Sequence, residues 1–304
     1  MAMTTTFAHL ARRETWPRMI AAAAPLMGLP PVAYLLLREA PPWQLMWALA
    51  FSIYAGSKWF TFAYCPAARD ATALRALGYL LLWPGMDAAA FFDSRADIPR
   101  PGAGEWLLAA VKLSAGMLLV FVAVPRLVGE HRLAAGWIGM VGLLLTLHFG
   151  LFHLFSLGWR LGGVNAQPIM QAPLRASSLS NFWGQRWNLA FRDLSYAFIF
   201  RPLVGHLGLA VTTLAVFAVS GLIHELVISV PVRAGWGGPT FYFLLQGFGL
   251  LAERSRLGKR LELRAGITGR LFAGVFLLAP IGWLFHEPFV CRAILPTLAA
   301  LGVH

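Results

Sequence analysis

Charge is what this sequence has least of. Of its 304 residues only 12% are Asp, Glu, Lys or Arg, and 58% are hydrophobic. A soluble domain carries about 25% charged residues, so too little polar surface is left to coat a water-soluble globule of this size. Acidic residues are scarcer still, 13 against 25 Lys and Arg, for a net charge of +12. The arginines lie in short stretches between apolar runs. That placement suits orientation in a bilayer and contact with anionic headgroups. No RNP motif, zinc finger or concentrated basic arm occurs, and no nucleic-acid partner is expected. Cysteine is nearly absent: Cys65 and Cys291 lie far apart, in or beside apolar segments, and suggest neither a disulfide framework nor a metal site.

Also missing are an internal repeat, a low-complexity linker and a soluble domain. Apolar and polar residues do not alternate in runs such as GMVGLLLTLHFGLFHLF, which argues against a membrane barrel. The runs have the length of membrane helices, about 20 residues. They predict spans near 18–37, 43–64, 74–92, 106–128, 134–158, 203–230 and 268–298, with a weaker candidate at 239–252. The expected fold is all-α, a polytopic transmembrane bundle of about 7–9 segments, some broken or re-entrant. One domain covers 1–304. The first run is broken by Pro25, Pro30 and Pro31 and lacks a clear small-residue cleavage site, so it reads as a retained span. The last contains Pro280, His286, Glu287 and Pro288 and is either one kinked helix or two pieces.

Loop 253–270, ERSRLGKRLELRAGITGR, is the most basic and should be cytoplasmic. Counting spans back from it puts the N-terminal ARRETWPR outside, against its own arginines. The conflict disappears if 74–92, interrupted by Pro84, Gly85 and Asp87, enters without crossing. Such backbone is tolerated only where protein or a wet cavity covers it.

Polar residues inside apolar runs are the candidates for chemistry. In AVSGLIHELVISV, His224 and Glu225 fall within a strongly apolar helix and should face the bundle interior. A neutral imidazole can take a proton from an alcohol; the alternative is a structural histidine bonded to a neighbouring helix. HELVI is not the zinc-protease motif, because Ile228 stands where the second histidine would be. His286 in FHEPFV reads as structural, satisfying carbonyls freed by Pro288. His148 and His153, five apart, are rotated off a common face and do not suit joint metal ligation. Lys58 and Asp87 are lone intramembrane charges able to pair with each other.

The stretch SLSNFWGQRWN, Ser178–Asn188, is a polar and aromatic island. As a helix it would put Trp183 and Trp187 on one face, as well as Phe182 and Arg186, with Gln185 beside Asn188. An interfacial aromatic belt with Arg186 on lipid phosphate is the alternative, but a belt does not need Gly184, Gln185 and Asn188 at fixed offsets.

QAPLRASSLSNFWGQRWN resembles the signature of the wax synthase-like branch of the membrane-bound O-acyltransferase superfamily, approximately P-L-x-A-x-S-(L)-x-D-F-W-G-R-R-W-N. Pro173, Leu174, Ala176, Ser178, Leu179, Phe182, Trp183, Gly184, Arg186, Trp187 and Asn188 match. Arg201 and Pro202 follow, then S-G-x-x-H-E at Ser220, Gly221, His224 and Glu225, then FHEPF near the C-terminus. The likeness runs over roughly 165–298 in the right order. Asn181 replaces the Asp of many members, and Gln185 an Arg. The resemblance implies acyl transfer from acyl-CoA to a hydroxyl, with His224 as general base and Asn188 positioning the thioester or its oxyanion. Trp183, Arg186, Trp187 and Glu225 would contact substrate, and Arg175, Arg186 and Arg192 are candidates for CoA phosphate. Neither metal nor cofactor is implied beyond acyl-CoA as co-substrate. A long-chain alcohol is the first expected acceptor, with a sterol, secondary-metabolite or glycan hydroxyl next. A proton-coupled transporter using His224 and Glu225 fits less well, since no inverted repeat is visible; a lipid-binding scaffold is the third reading. The short, basic, Ala/Leu/Arg-rich chain suggests a bacterial inner membrane.

Overall fold

The computed structural model describes residues 16–94 and 97–303. Every regular element among them is helical. Five helices are long and apolar enough to cross a bilayer: Ile20–Leu37, Ala103–Leu127, Arg132–Leu161, Leu189–Val232 and Gly266–Leu284. Large side chains on their outer faces, such as Leu36, Leu118, Leu209, Leu271 and Leu278, are exposed. Water would not tolerate that surface, and lipid does.

The first helix, Trp16–Leu37, runs unbroken through Pro25, Pro30 and Pro31, contrary to the expected interruption. Membrane helices tolerate proline where neighbours cover the freed carbonyls, and the adjoining helix Pro42–Tyr64 packs along this one. Segment 74–92 is broken, as its Pro-Gly pair suggested. Helix Ala73–Leu82 ends at Trp83, and Ala88–Phe92 restarts with Asp87 as its cap, accepting from the Ala90 N–H at 2.9 Å. Protein covers the irregular backbone between them: Tyr79, Trp83, Met86 and Phe91 are all buried. Lys58 does not pair with Asp87. Its ammonium, 1% exposed, donates to the Gly85 carbonyl and lies 3.3 Å from the centre of the Tyr79 ring. The loop thus offers the lysine a dipole and a ring face where no carboxylate reaches it.

The stretch Leu189–Val232 holds 44 residues, about 66 Å of helix at 1.5 Å per residue, twice the hydrocarbon thickness of about 30 Å. It cannot be one straight span, and it kinks at Gly208 (φ 72°). The expected final run divides too, after Leu278 and again at Phe285–His286. Wide π turns interrupt several helices, including Phe182–Arg186 and Glu225–Ser229. Such turns often mark functional sites, and these two fall on the motifs singled out in the sequence.

Two buried clusters form the interior. One gathers Phe217, Ile228, Phe243, Leu250 and Phe289, and the other Tyr79, Trp83, Phe91, Ile169 and Met170. The signature lies between them, with Leu179 and Trp183 in the first and Trp187 in the second, followed there by Ala190. The arginine-rich N-terminal residues before Trp16 lie outside the described residues. If the 74–92 pair enters without crossing, a reporter fused after Asp97 will read on the cytoplasmic side, the same side as the N-terminus. An outside signal with an inside N-terminus would contradict that topology.

Candidate active site

The signature begins with a capped turn. Ser178 Oγ accepts from the Asn181 N–H at 3.1 Å, opening the short helix Leu179–Asn181. The chain then widens into the π turn, and the Trp187 N–H donates five residues back, to the Phe182 carbonyl at 2.9 Å. The aromatic pairing follows this spacing. Phe182 stacks on Trp187, with centroids 5.3 Å apart and planes at 16°. Trp183 turns the other way, to Phe217 and Phe243, each 5.7 Å off. Trp183 and Trp187 therefore do not share a face, because the helix is neither α in period nor continuous to Trp187.

Asn188 ends the turn in a left-handed conformation, φ 41°, which asparagine tolerates better than most residues. Its Oδ1 caps the next helix, accepting from the Phe191 N–H at 3.2 Å. Its side-chain NH₂ has no partner among the described residues, so two donor hydrogens remain for a ligand.

The arginines are mostly engaged. Arg186 donates to Asn181 Oδ1 at 2.6 Å and to the Gln171 and Ala172 carbonyls, both at 3.2 Å. Arg192 donates to the Gly184 carbonyl at 2.8 Å and pairs with Asp193 at 2.7 Å. Both brace the signature loop. Arg175 is exposed and has no side-chain partner among the described residues, which leaves it the freest of the three for an anion. A cavity of about 110 Å³ borders the signature on the second-cluster side, lined by Asp87, Gln171, Leu189, Ala190, Arg192 and Asp193 among others.

The SGLIHE run acts residue by residue. His224 Nδ1 lies 2.7 Å from the Ser220 carbonyl. A carbonyl only accepts, so Nδ1 carries the hydrogen in the neutral ring and Nε2 presents a lone pair. The Phe243 ring, 4.3 Å from the imidazole, holds its plane. His224 lies deep in the bundle yet keeps part of its surface accessible. Gly221 lets its helix meet Gly238–Arg254, since a Cβ there would come within 2.7 Å of Thr240 Cα. Glu225 caps that second helix, accepting from the Gly237 N–H at 2.7 Å and from the Thr240 hydroxyl at 3.0 Å. These bonds tie Glu225 to the start of the 238–254 helix. His286 is also a cap: its Nδ1 accepts from the Phe289 N–H at 3.3 Å, so it satisfies a donor and not the freed carbonyls expected.

The 238–254 helix brings these motifs together along one stripe. Thr240 meets Glu225, and Phe243 meets both His224 and Trp183. Gln246 Oε1 accepts from Trp183 Nε1 at 3.4 Å, and Glu253 accepts from the Ser180 N–H at 3.1 Å. Steps of three, three and seven residues keep all four on one helical face. Phe243, Gln246 and Glu253 were missed by sequence reasoning. The two polar ones carried a readable signal, since both interrupt the weakly predicted run 239–252 or close it.

Residues 166–245 match the sequence model of the membrane bound O-acyl transferase family. A long-chain-alcohol O-fatty-acyltransferase of Simmondsia chinensis is 32% identical over 145 residues, 43% of this chain and 41% of that protein. A probable long-chain-alcohol O-fatty-acyltransferase 2 of Arabidopsis thaliana is 36% identical over 138 residues, 41% of this chain and 39% of that protein. Over these residues the chain is similar to the membrane bound O-acyl transferase family. The relatives named here are long-chain-alcohol O-fatty-acyltransferases, the wax synthase-like kind. It also resembles the acyl-CoA–sterol O-acyltransferase 1 of Arabidopsis thaliana, 27% identical over 152 residues, 45% of this chain and 44% of that protein. Each match thus spans only about two fifths of the relative's length.

The two departures from the signature, Asn181 and Gln185, meet each other in the structure. Asn181 Nδ2 donates to Gln185 Oε1 at 2.8 Å. The two residues, four apart in the chain, are thus joined by one side-chain hydrogen bond. Asn181 Oδ1 meanwhile accepts from Arg186. Gly221 should tolerate no larger residue. Gly221→Val should lower the melting temperature of detergent-solubilised protein, since overpacking costs about 1–3 kcal/mol; an unchanged melting temperature would show that the helix contact is looser than described.

Proposed function

We propose that this protein is an acyl-CoA-dependent O-acyltransferase. The observation that carries the reading is the unbroken aromatic path from Trp187 through Phe182, Trp183 and Phe243 to His224. It links the family signature to a histidine with an available lone pair. In the reaction, His224 Nε2 takes the proton of the acceptor hydroxyl as its oxygen attacks the thioester carbon. The carbon–sulfur bond breaks, the ester forms, and the CoA thiolate leaves to collect the proton. The Asn188 NH₂ donates to the thioester oxygen as negative charge develops there. The ring wall excludes water that would otherwise hydrolyse the thioester. Transfer is direct, with no acyl-enzyme. Resident metal or cofactor is not required by these steps, and acyl-CoA is the co-substrate.

The acceptor we propose is a long-chain alcohol, giving a wax ester, because several relatives are named for that activity. A sterol is the second choice, on the likeness to the sterol acyltransferase. The setting we propose is the inner membrane of a bacterium, on composition alone.

The test is transfer from labelled acyl-CoA to a panel of alcohols by purified membranes. His224→Ala should abolish turnover, since base catalysis contributes about 10²–10⁴-fold. Asn188→Asp is the cleaner second variant. It keeps the helix cap and the left-handed backbone but loses the donor. The expected fall in kcat is about 10²–10³-fold, as for one oxyanion donor. Full activity in His224→Ala would overturn the catalytic assignment, and no transfer to any alcohol by the wild type would overturn the function.

A further inference from the structure

Glu253 is a carboxylate with no access to solvent, 0% exposed, at the end of the helix that bears Phe243. Burying such a group is costly unless donors surround it. The donors it has come from the signature. One carboxylate oxygen accepts from the Ser180 N–H at 3.1 Å, and the other from the Ser180 hydroxyl. Arg264, more than half exposed, completes the set with Nε 3.6 Å away. Most of what Glu253 offers is therefore spent on one residue, and that residue opens the turn carrying Phe182, Trp183 and Asn188.

We infer that Glu253 is a positioning residue for the proposed acyl transfer, acting through Ser180 to set where the signature lies along the 238–254 helix and so where Asn188 lies relative to His224. The geometry gives three reasons. The clamp is two-pronged, so Ser180 cannot slide along the helix or rotate without losing a bond. Arg186 and Arg192 brace the turn on residues 171–172, Asn181 and Gly184, and neither ties it to the 238–254 helix. The neighbouring contact between Trp183 Nε1 and Gln246 is long, at 3.4 Å, and cannot fix the register alone. Phe243 is ten residues from Glu253, about 15 Å along the helix axis. A shift at the clamp is carried along that stripe to the ring beside His224.

This inference rests on the acyltransferase reading, and its test separates the two. Glu253→Ala, Ser180→Ala and the double variant are compared with wild type for kcat and KM toward acyl-CoA, and for hydrogen exchange over residues 178–188. Glu253→Ala should lower kcat by about 10²-fold, the order expected when a reacting group moves by about 1 Å, while KM changes less than twofold. Ser180→Ala, which keeps the backbone donor, should fall between it and wild type. The double variant should be no worse than Glu253→Ala alone, because both remove the same link. Exchange over 178–188 should quicken in each. Wild-type kcat in folded Glu253→Ala overturns the inference, as does a double variant whose losses multiply. If Glu253→Ala does not fold, Ser180→Ala decides alone: unchanged kcat and unchanged exchange overturn it. If the wild type transfers no acyl group, the enzyme reading fails, and the exchange data still report whether Glu253 holds the signature.

Discussion

One helical face sets the geometry of this protein. Along the 238–254 helix, Thr240, Phe243, Gln246 and Glu253 each meet a different part of the two family motifs. No direct bond between the signature and SGLIHE is needed to align them. Both are held by the same element, the signature through Ser180 and Trp183 and SGLIHE through His224 and Glu225. A rigid support of this kind is what a reaction needs when its groups must be held to within a fraction of an ångström.

The membrane explains why so few polar residues carry the arrangement. In hydrocarbon every buried polar group must find a partner. Glu225, Gln246 and Glu253 find theirs across helices, and each such bond also locks two segments together. Gln246 does both at once, since its NH₂ donates to the Phe276 carbonyl at 2.7 Å while its oxygen faces Trp183. Small residues complete the contact, with Gly221 against Thr240 and Gly249 against Leu179. Arg186 and Arg192 follow the same logic. They brace loop carbonyls, which makes them parts of the frame before they are anything to a phosphate.

Much of this was legible in the sequence. Hydropathy found the helices, and the break at Pro84–Gly85 was visible as a proline and a glycine in an apolar run. The signature and SGLIHE were legible as motifs, and both lie within the residues that match the membrane bound O-acyl transferase family model. Other features were hidden for physical reasons. The first helix runs through its prolines because a neighbour covers it, which no single-segment rule reports. The pairing of Phe182 with Trp187 depends on a five-residue period that an α-helical projection misassigns. Lys58 looked like a partner for Asp87 because charge invites charge, but a loop carbonyl and a ring took the lysine and a helix N-terminus took the aspartate. That Glu225 also caps the next helix depends on a contact across helices, which the sequence alone does not display.

The central claim is that Asn188 and His224 face one reacting carbonyl from a frame built on the 238–254 helix. An experimental structure of the protein with a ketone analogue of acyl-CoA, in which a methylene separates sulfur from the carbonyl, tests it most directly. The account predicts the analogue oxygen within hydrogen-bond reach of the Asn188 NH₂, with His224 Nε2 facing the same carbon from the acceptor side. An acyl chain lodged elsewhere, with the ketone distant from both residues, would contradict it.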